Sequence, residues 1–202
     1  MKLNRVEKLV INNPLRVVQQ KFEIRRFRKM FRLEPGAQIL EVGCGRGAGA
    51  GLILKNFHPA RLYALDLDFC MIQKAKKFRF ARQEHLSLYV GDGTQLPFRK
   101  ASMDAVFGFG FLHHVPDWQA GLAEVARVLK TGGVYFMEEI YPALYQNPIT
   151  RHVLLHPRDN RFDSRDLKSA LDANKLLLKE TVECKQLGIL GVAVKTNNHQ
   201  KT

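Results

Sequence analysis

The sequence predicts a single α/β domain, in which helices cover a mostly parallel sheet. Short apolar runs alternate with helical stretches throughout residues 37–140, which is the pattern of consecutive βαβ units. The first of these units has a glycine-rich turn directly after its apolar run, as ligand-binding α/β domains do. The 202 residues, of which 46% are hydrophobic, can bury a proper core but leave no room for a second full domain.

The first predicted element is a helix that precedes the sheet. Asn13 can cap this helix, Pro14 suits its first turn, and the Pro35-Gly36 pair ends it, so it should run to about Leu33. Large apolar residues recur through it and predict an amphipathic helix; they are Val17, Val18, Phe22, Ile24, Phe27, Met30, Phe31 and Leu33.

Strands and further helices follow in alternation. Strands are expected over residues 37–42, 61–66, 86–90, 103–109, 134–140, 176–185 and 189–195. Helices are expected over residues 46–56, 69–82 and 117–130, the second capped by Asp68, and a later helix is expected to be capped by Ser164. A basic, aromatic loop with a short helix is expected over residues 141–158. We therefore divide the chain into a helical segment (1–34), the α/β domain (35–196) and a disordered tail (197–202).

Positive charge is concentrated at the beginning of the chain. The formal net charge of the chain is +13. Residues 1–32 contain ten lysines and arginines but only two acidic residues. Such a segment either favours an anionic partner or is a solvated helix face. No apolar run is long enough to cross a bilayer, and the first residues lack the apolar block of a secretory signal, so a cytoplasmic protein is expected. The three cysteines are spaced too widely to suggest a zinc site or a disulfide framework.

Acidic residues stand at the ends of three successive predicted strands. Glu41 ends the first, where a carboxylate suits a ligand that carries a sulfonium or an α-ammonium group and would repel a pyrophosphate. Asp66 ends the second, where it can accept hydrogen bonds from ribose hydroxyls. Asp92 follows the third, where it can accept from an exocyclic amine or simply form a turn. The turn after Glu41 contains three glycines that allow a ligand to approach the backbone closely, Gly43, Gly45 and Gly47.

Four blocks of sequence stand in an order and at a spacing that one family shares. They are LEVGCGRGAG at 40–49, GDGTQLPF at 91–98, MDAVFGFGFLHHV at 103–115 and EVARVLKTGG at 124–133. Together they resemble the class I S-adenosylmethionine-dependent methyltransferases, and most of all their ubiquinone/menaquinone-biosynthesis-type branch, the methyltransferase domain 11 proteins. The resemblance implies a Rossmann-like sheet of seven strands with helices on both faces and an antiparallel last strand. It also implies S-adenosyl-L-methionine as the cofactor.

The resemblance further implies which residues bind this cofactor. Glu41 and the turn of Gly43, Gly45 and Gly47 would hold the methionine part, Asp66 the ribose, and Asp92 with the Gly93 backbone the adenine, while Phe109 would close the pocket. Leu67 is also expected to contact the cofactor. The substrate region, which lies beyond Tyr141 and in the first helix, matches the family least.

Catalysis of methyl transfer needs few side chains. In-line displacement from a sulfonium is accelerated mainly by alignment and by exclusion of water, so a base is needed only if the acceptor must lose a proton. His113 and His114 follow the fourth strand and are the candidates, although either can pack into the fold instead. Glu138, Glu139 and Tyr141 at the end of the fifth strand are further candidates, and Glu139 can alternatively be paired with an arginine.

Other functions are compatible with parts of the sequence. Gly43, Gly45 and Ala48 also satisfy a GxGxxA pattern, so a nicotinamide-dependent oxidoreductase is an alternative, as is a catalytically inactive protein of the same fold. His152 and His156 have metal-ligand spacing, but no carboxylate completes a HExxH pattern, and no metal site is expected.

The expected partners follow from the cofactor and the charge. We expect a small-molecule or lipid acceptor. Residues 1–32 are expected to cover the cofactor as a lid or to lie on an anionic membrane surface, and nucleic acid is a less favoured partner. The sequence predicts no particular oligomeric state.

Overall fold

The computed structural model describes residues 13–78, 83–145, 160–184 and 186–197. Its helices are α1 (Pro14–Met30), α2 (Ala48–Phe57), α3 (Phe69–Ala75), α4 (Trp118–Val128), α5 (Pro142–Tyr145) and α6 (Ser164–Ala173). Its strands are β1 (Gln38–Val42), β2 (Arg61–Asp66), β3 (Leu86–Val90), β4 (Met103–Phe109), β5 (Leu129–Ile140), β6 (Leu176–Cys184) and β7 (Gly188–Lys195). A 3₁₀ turn (Leu112–His114) lies between β4 and α4.

The described strands form one sheet in the order β3-β2-β1-β4-β5-β7-β6. The first five strands pair in parallel, whereas β7 runs antiparallel to both of its neighbours. One hydrophobic cluster contains residues of α1, α2 and α3, and the other contains residues of α4 and α6, so helices cover both faces. The predicted fold class is therefore confirmed, including the antiparallel last strand.

The strand order reverses between β1 and β4. From β1 the chain moves outward to β2 and β3 on one side, and it then returns to the other side of β1 to form β4 and β5. The loops that follow β1 and β4 consequently diverge and leave a crevice at the carboxyl ends of these strands. Crevices of this kind are where open α/β sheets bind ligands.

Helices α1 and α2 are shorter than predicted, in each case because of the local backbone. α1 ends at Met30 rather than Leu33, since Phe31 is extended (φ −150°) and the chain must stay extended before Pro35. α2 begins at Ala48 rather than at residue 46, because the φ of Gly47 is +85° and excludes it from the helix.

Three further boundaries differ from the prediction. β5 begins at Leu129 rather than at residue 134, and a register shift against β4 accommodates the additional residues. α6 is capped by Asp163 and not by Ser164, because Asp163 and Asp166 form a reciprocal capping box. α3 ends at Ala75, and the last part of the helix predicted over residues 69–82 lies outside the described residues.

The predicted cap of α3 is confirmed. Asp68 Oδ1 accepts a hydrogen bond of 2.8 Å from the Cys70 N–H. The predicted loop beyond residue 145, which contains His152 and His156, lies outside the described residues, as do residues 198–202 of the predicted tail.

α1 packs against the sheet through only one of its faces. The Phe27 ring is fully buried and lies 6.1 Å from the Phe107 ring and 5.3 Å from the Phe136 ring. Val18 and Phe22 were expected on the same apolar face but are 61% and 57% exposed. The reason is rotational, since Phe22 and Phe27 are separated by about 140° around a helix of 3.6 residues per turn. The prediction of one apolar face is therefore wrong, and the apolar residues divide between two faces.

None of the described helices is long and apolar enough to span a membrane.

Candidate active site

A cavity of about 460 Å³ lies at the carboxyl ends of the parallel strands. This volume falls within the usual range of small-molecule sites, about 300–1,000 Å³. Its walls come from the ends of β1, β2, β4 and β5, from the loops that follow β1 to β4, and from α1 and α5. The cavity brings together most of the site residues predicted from the sequence: Gly43, Gly45, Asp66, Leu67, Asp92, Gly93, Phe109, His113 and His114.

Two glycines allow the backbone to form a thin wall beneath the cavity. Gly43 has a φ of +74°, a left-handed conformation that other residues adopt only with strain. A Cβ atom on Gly93 would lie only 2.5 Å from the Phe111 ring, so a larger residue would not fit there. Gly47 is buried at the start of α2 and does not line the cavity. Its contribution is to end the turn.

Asp66 connects two of the cavity loops and also lines the cavity. Its Oδ2 accepts a hydrogen bond of 2.7 Å from the Gly45 N–H, and its Oδ1 accepts one of 2.8 Å from the Asp68 N–H. The carboxylate therefore holds the turn after β1 next to the loop after β2. This arrangement fixes its orientation before any ligand is present.

Asp92 forms a turn and lines the cavity at the same time. Its Oδ1 accepts hydrogen bonds of 2.8 Å from both the backbone N–H and the hydroxyl group of Thr94. Turn formation and ligand contact were alternatives in the sequence; the structure shows the turn, and ligand contact by Asp92 stays a prediction that this turn does not exclude.

Glu41 lies behind the cavity wall and not on it. Its side chain is 1% exposed and sits against α2, so that a Cβ on Gly49 would lie 2.1 Å from Oε1. Among the described residues, Oε2 has no hydrogen-bond partner. Burial and the nearby Asp66 raise the pKa of Glu41 to about 8. Glu41 is thus a buried acid beneath the glycine turn, with one oxygen that accepts no hydrogen bond from the described residues. A cation bound above the turn would favour the ionised form of Glu41.

The ends of β4 and β5 form a buried histidine–glutamate pair. Glu139 Oε2 lies 2.7 Å from His113 Nδ1. Its Oε1 accepts hydrogen bonds from the Phe111 and Leu112 N–H groups at 3.1 and 2.8 Å. Burial raises the pKa of Glu139 to about 8, against the lowering effect of these N–H donors. The partner of Glu139 is thus His113, which lines the cavity, and not the arginine considered from the sequence.

The neighbouring Glu138 binds an arginine of α1. Arg16 Nη2 lies 2.7 Å from Glu138 Oε2, and Arg16 Nη1 lies 3.1 Å from Glu23 Oε1. Arg16 and Glu138 both line the cavity. One guanidinium serves two buried carboxyl groups, and burial raises the pKa of Glu23 to about 7 and raises that of Glu138 as well. Sequence reasoning missed this triad, because Arg16 is 122 residues away from Glu138 and no local pattern links them.

The remaining candidates have different positions. His114 lines the cavity, with its ring 4.3 Å from the His113 ring. Tyr141 does not line the cavity, and its hydroxyl donates to Glu183 Oε1 at 2.7 Å. Tyr145, which the sequence did not single out, lines the cavity 6.0 Å from the His113 ring.

Comparison with known proteins identifies a methyltransferase domain in the chain. Residues 40–137 match the family model described as a methyltransferase domain. A phthiotriol/phenolphthiotriol dimycocerosates methyltransferase of Mycobacterium tuberculosis is 38% identical over 107 residues, which are 53% of this chain and 39% of that protein. Residues 40–137 therefore carry the sequence of a methyltransferase domain, and this part of the chain resembles the class I S-adenosylmethionine-dependent methyltransferases. The family resemblance predicted from the sequence blocks is thereby confirmed.

Other methyltransferases resemble the chain in sequence or in fold. A fatty-acid O-methyltransferase of Mycolicibacterium smegmatis is 36% identical over 111 residues, which are 53% of this chain and 38% of that protein. The chain therefore spans about two fifths of the length of these curated relatives. The geranyl diphosphate C-methyltransferase of Streptomyces coelicolor, solved with S-adenosyl-L-homocysteine, superposes with a TM-score of 0.76 at 15% identity. That alignment covers 96% of this chain and 91% of the other, and it shows a shared fold.

The cavity suits S-adenosyl-L-methionine, the cofactor that the methyltransferase resemblance implies. The glycine turn permits close approach, Asp66 and Asp92 present carboxylate oxygens, and the buried Glu41 favours a cationic ligand. The assignment of single residues to the methionine, ribose and adenine parts remains a prediction.

Three buried carboxyl groups predict that the folded protein loses stability as the pH rises. The pKa is raised from 4.5 to about 7 for Glu23 and to about 8 for Glu41 and Glu139. At pH values between 4.5 and the raised pKa of each group, the carboxyl group is protonated in the folded state but ionised in the unfolded state. The free energy of unfolding should therefore fall by up to about 1.4 kcal/mol per pH unit for each group.

Urea unfolding at several pH values from about 5 to 8 checks this expectation. Glu41→Gln should make the decline less steep, because the amide holds no titrating proton in either state. A free energy of unfolding that is constant or rises over this range would contradict the prediction.

Proposed function

We propose that this chain transfers a methyl group from S-adenosyl-L-methionine to a lipid-like acceptor that loses a proton in the reaction. The observation that carries the proposal is that one cavity is lined both by the glycine and aspartate wall and by His113, whose Nδ1 lies 2.7 Å from the buried Glu139. A cofactor and an acceptor can therefore meet in a single space that is closed on one side by α1.

The acceptor half of the cavity supports a lipid-like molecule. Apolar side chains of α1, β5 and α5 line it, namely Val17, Ile140 and Leu144, together with Phe111 and Val115 after β4. Such walls bind hydrocarbon by removing apolar surface from water. The names of the two mycobacterial relatives also refer to lipid acceptors, phthiotriol/phenolphthiotriol dimycocerosates and a fatty acid.

The residues of the chain would contribute position and proton transfer. The bound cofactor supplies a methyl group on a positively charged sulfur, which is a strongly activated leaving group. Asp66 and the turn it holds would orient the cofactor. Arg16 and Val17 of α1 would exclude water from the opposite wall of the cavity. The proposed role of α1 is thus a wall over the site, as the lid prediction for residues 1–34 requires.

His113 is the proposed general base. When its Nδ1–H is donated to ionised Glu139, the basic lone pair of the imidazole is on Nε2, and His113 lines the cavity. The imidazole would take the proton of an acceptor hydroxyl as the oxygen–methyl bond forms. Glu139 would then stabilise the resulting imidazolium as its buried ion-pair partner.

Cofactor binding is tested by calorimetry with S-adenosyl-L-homocysteine. Asp66→Ala should weaken binding by about 1.5–3 kcal/mol, because hydrogen bonds to a charged group are lost. Asp104→Ala is the matched control, since Asp104 also binds a backbone N–H, that of Gln38, but lies at the opposite ends of the strands. Binding of NAD without binding of S-adenosyl-L-homocysteine would refute the proposal in favour of an oxidoreductase.

Acceptor choice is tested with isotopically labelled cofactor. The protein is incubated with long-chain alcohols, fatty acids and hydroxylated membrane lipids, and products are identified by mass spectrometry. We expect methyl ethers of the hydroxylated lipids. Methylation of water-soluble compounds alone would contradict a lipid acceptor, and cofactor binding without any product would favour an inactive binding protein.

A further inference from the structure

The outer face of α1 is an unusual surface for a helix that is otherwise packed into the core. Its exposed residues recur at spacings of three or four, which places them along one side of the helix. The first two turns present large apolar side chains on this side, and the later turns present cations. In chain order these residues are Leu15, Val18, Phe22, Arg25, Arg26 and Lys29.

The apolar part of this face is strongly exposed. Leu15, Val18 and Phe22 are 72%, 61% and 57% exposed. They cannot turn inward, because the opposite face of α1 is held by Phe27 in the core and by the contact of Arg16 with Glu138. The exposed stripe is therefore a stable feature of the folded domain, and exposed apolar stripes of this kind mark interaction surfaces.

The charge of the same face is entirely positive. The only acid in α1 is Glu23, and it is buried against Arg16. The Arg26 guanidinium lies 5.2 Å from the centroid of the Phe22 ring, so the cationic and apolar parts form one continuous surface. The chemistry is that of an interfacial helix, whose apolar side chains enter the head-group boundary while its cations meet anionic lipids.

Exposed apolar residues from two other elements stand beside the cavity. Leu144 of α5 lines the cavity and is 39% exposed, and Phe69 is 56% exposed two residues after the cavity-lining Leu67. On α1, Leu15 and Val18 adjoin the cavity-lining Arg16 and Val17. Leu144 thus lines the cavity itself, and the exposed residues of the two other segments lie within two positions of residues that line it.

We propose that the outer face of α1, together with Phe69 and Leu144, docks on an anionic phospholipid bilayer so that the cavity faces the membrane. The delivery of a lipid acceptor by this route rests on the proposed function, whereas docking itself does not. Docking needs no rearrangement of α1, because the face that contacts the sheet is not the face that contacts the lipid. A bilayer is favoured over nucleic acid because Leu15 and Val18 offer phosphates and bases no polar contact.

Flotation of the full chain with vesicles tests the charge requirement. The protein should bind vesicles of phosphatidylcholine with phosphatidylserine, should not bind phosphatidylcholine alone, and should dissociate at high salt. Arg25→Glu with Lys29→Glu should lower the partition coefficient at least about twenty-fold, since each basic residue contributes about fivefold. Arg99→Glu with Lys100→Glu changes the net charge equally but lies before β4, away from the cavity, and should leave binding within about threefold of the parent protein.

Fluorescence tests the apolar requirement. Phe22→Trp should show a blue shift of emission with anionic vesicles, while Tyr89→Trp on β3 should not. The natural Trp118 is buried and gives a constant background.

Absence of vesicle binding, equal loss in both charge variants, or no shift at residue 22 would overturn the proposal. So would a dimer in sedimentation velocity that Phe22→Ser dissociates, because a second copy would then cover this face.

The failure of docking and the failure of the proposed function give different results. Vesicle binding is measured without cofactor or acceptor. Arg25→Glu with Lys29→Glu should leave the affinity for S-adenosyl-L-homocysteine and the melting temperature unchanged, since neither residue lines the cavity. Lost cofactor binding with intact vesicle binding would therefore refute only the methyltransferase proposal.

Discussion

Replacement of His113 by asparagine is expected to lower kcat for a hydroxylated lipid acceptor by about 10²–10⁴-fold, the usual contribution of a general base. Asparagine can still donate to Glu139 but cannot take a proton from the acceptor. The KM for the cofactor should change little, because the proposed cofactor wall is formed by other residues. Steady-state kinetics with labelled cofactor measures both quantities.

The pH dependence separates a base from a merely structural histidine. Burial raises the pKa of Glu139 to about 8, and His113 needs an ionised Glu139 to act as the base, so kcat should rise with pH toward an apparent pKa near this value. His113→Asn should lose this dependence. His114→Asn is the matched control, because His114 also lines the cavity, whereas the ring nitrogen 2.7 Å from Glu139 Oε2 belongs to His113. A larger loss in the His114 variant than in the His113 variant would show that the base has been misassigned.

Replacement of Phe27 by alanine is expected to lower the free energy of unfolding by about 3–5 kcal/mol. The Phe27 ring is fully buried and contacts the rings of Phe107, Phe109 and Phe136 at centroid distances of 6.1, 6.0 and 5.3 Å. The substitution removes these contacts and leaves a cavity between α1 and the sheet. Urea unfolding followed by circular dichroism measures the change.

Phe22→Ala is the control for this prediction, since Phe22 is the same residue type in the same helix but is 57% exposed. It should change the free energy of unfolding by no more than about 0.5 kcal/mol. Equal effects of the two substitutions would mean that α1 does not contribute its inner face to the stability of the domain.

Features that depend on neighbouring residues could be predicted from the sequence. The strand before the glycine turn, the turn itself and the Asp68 cap each involve residues only a few positions apart, so the pattern contains the whole interaction. The strand ends were also predictable, and parallel strands bring their carboxyl ends to one edge. Asp66 and Asp92 accordingly line the predicted site, as does His113.

The tertiary structure alone decided which distant groups share a buried position. The contact of Arg16 with Glu138 and the pairing of His113 with Glu139 join residues that come together only when helices and loops pack at the end of β5. The burial of Glu41 depends on how closely α2 approaches, and the division of α1 into two faces depends on which side the sheet covers. By itself the sequence determined the fold class, the turn and the resemblance to methyltransferases, because these follow from local pattern and spacing. The raised pKa values and the opposite roles of the two faces of α1 follow from burial, which is set by the packing of the whole domain.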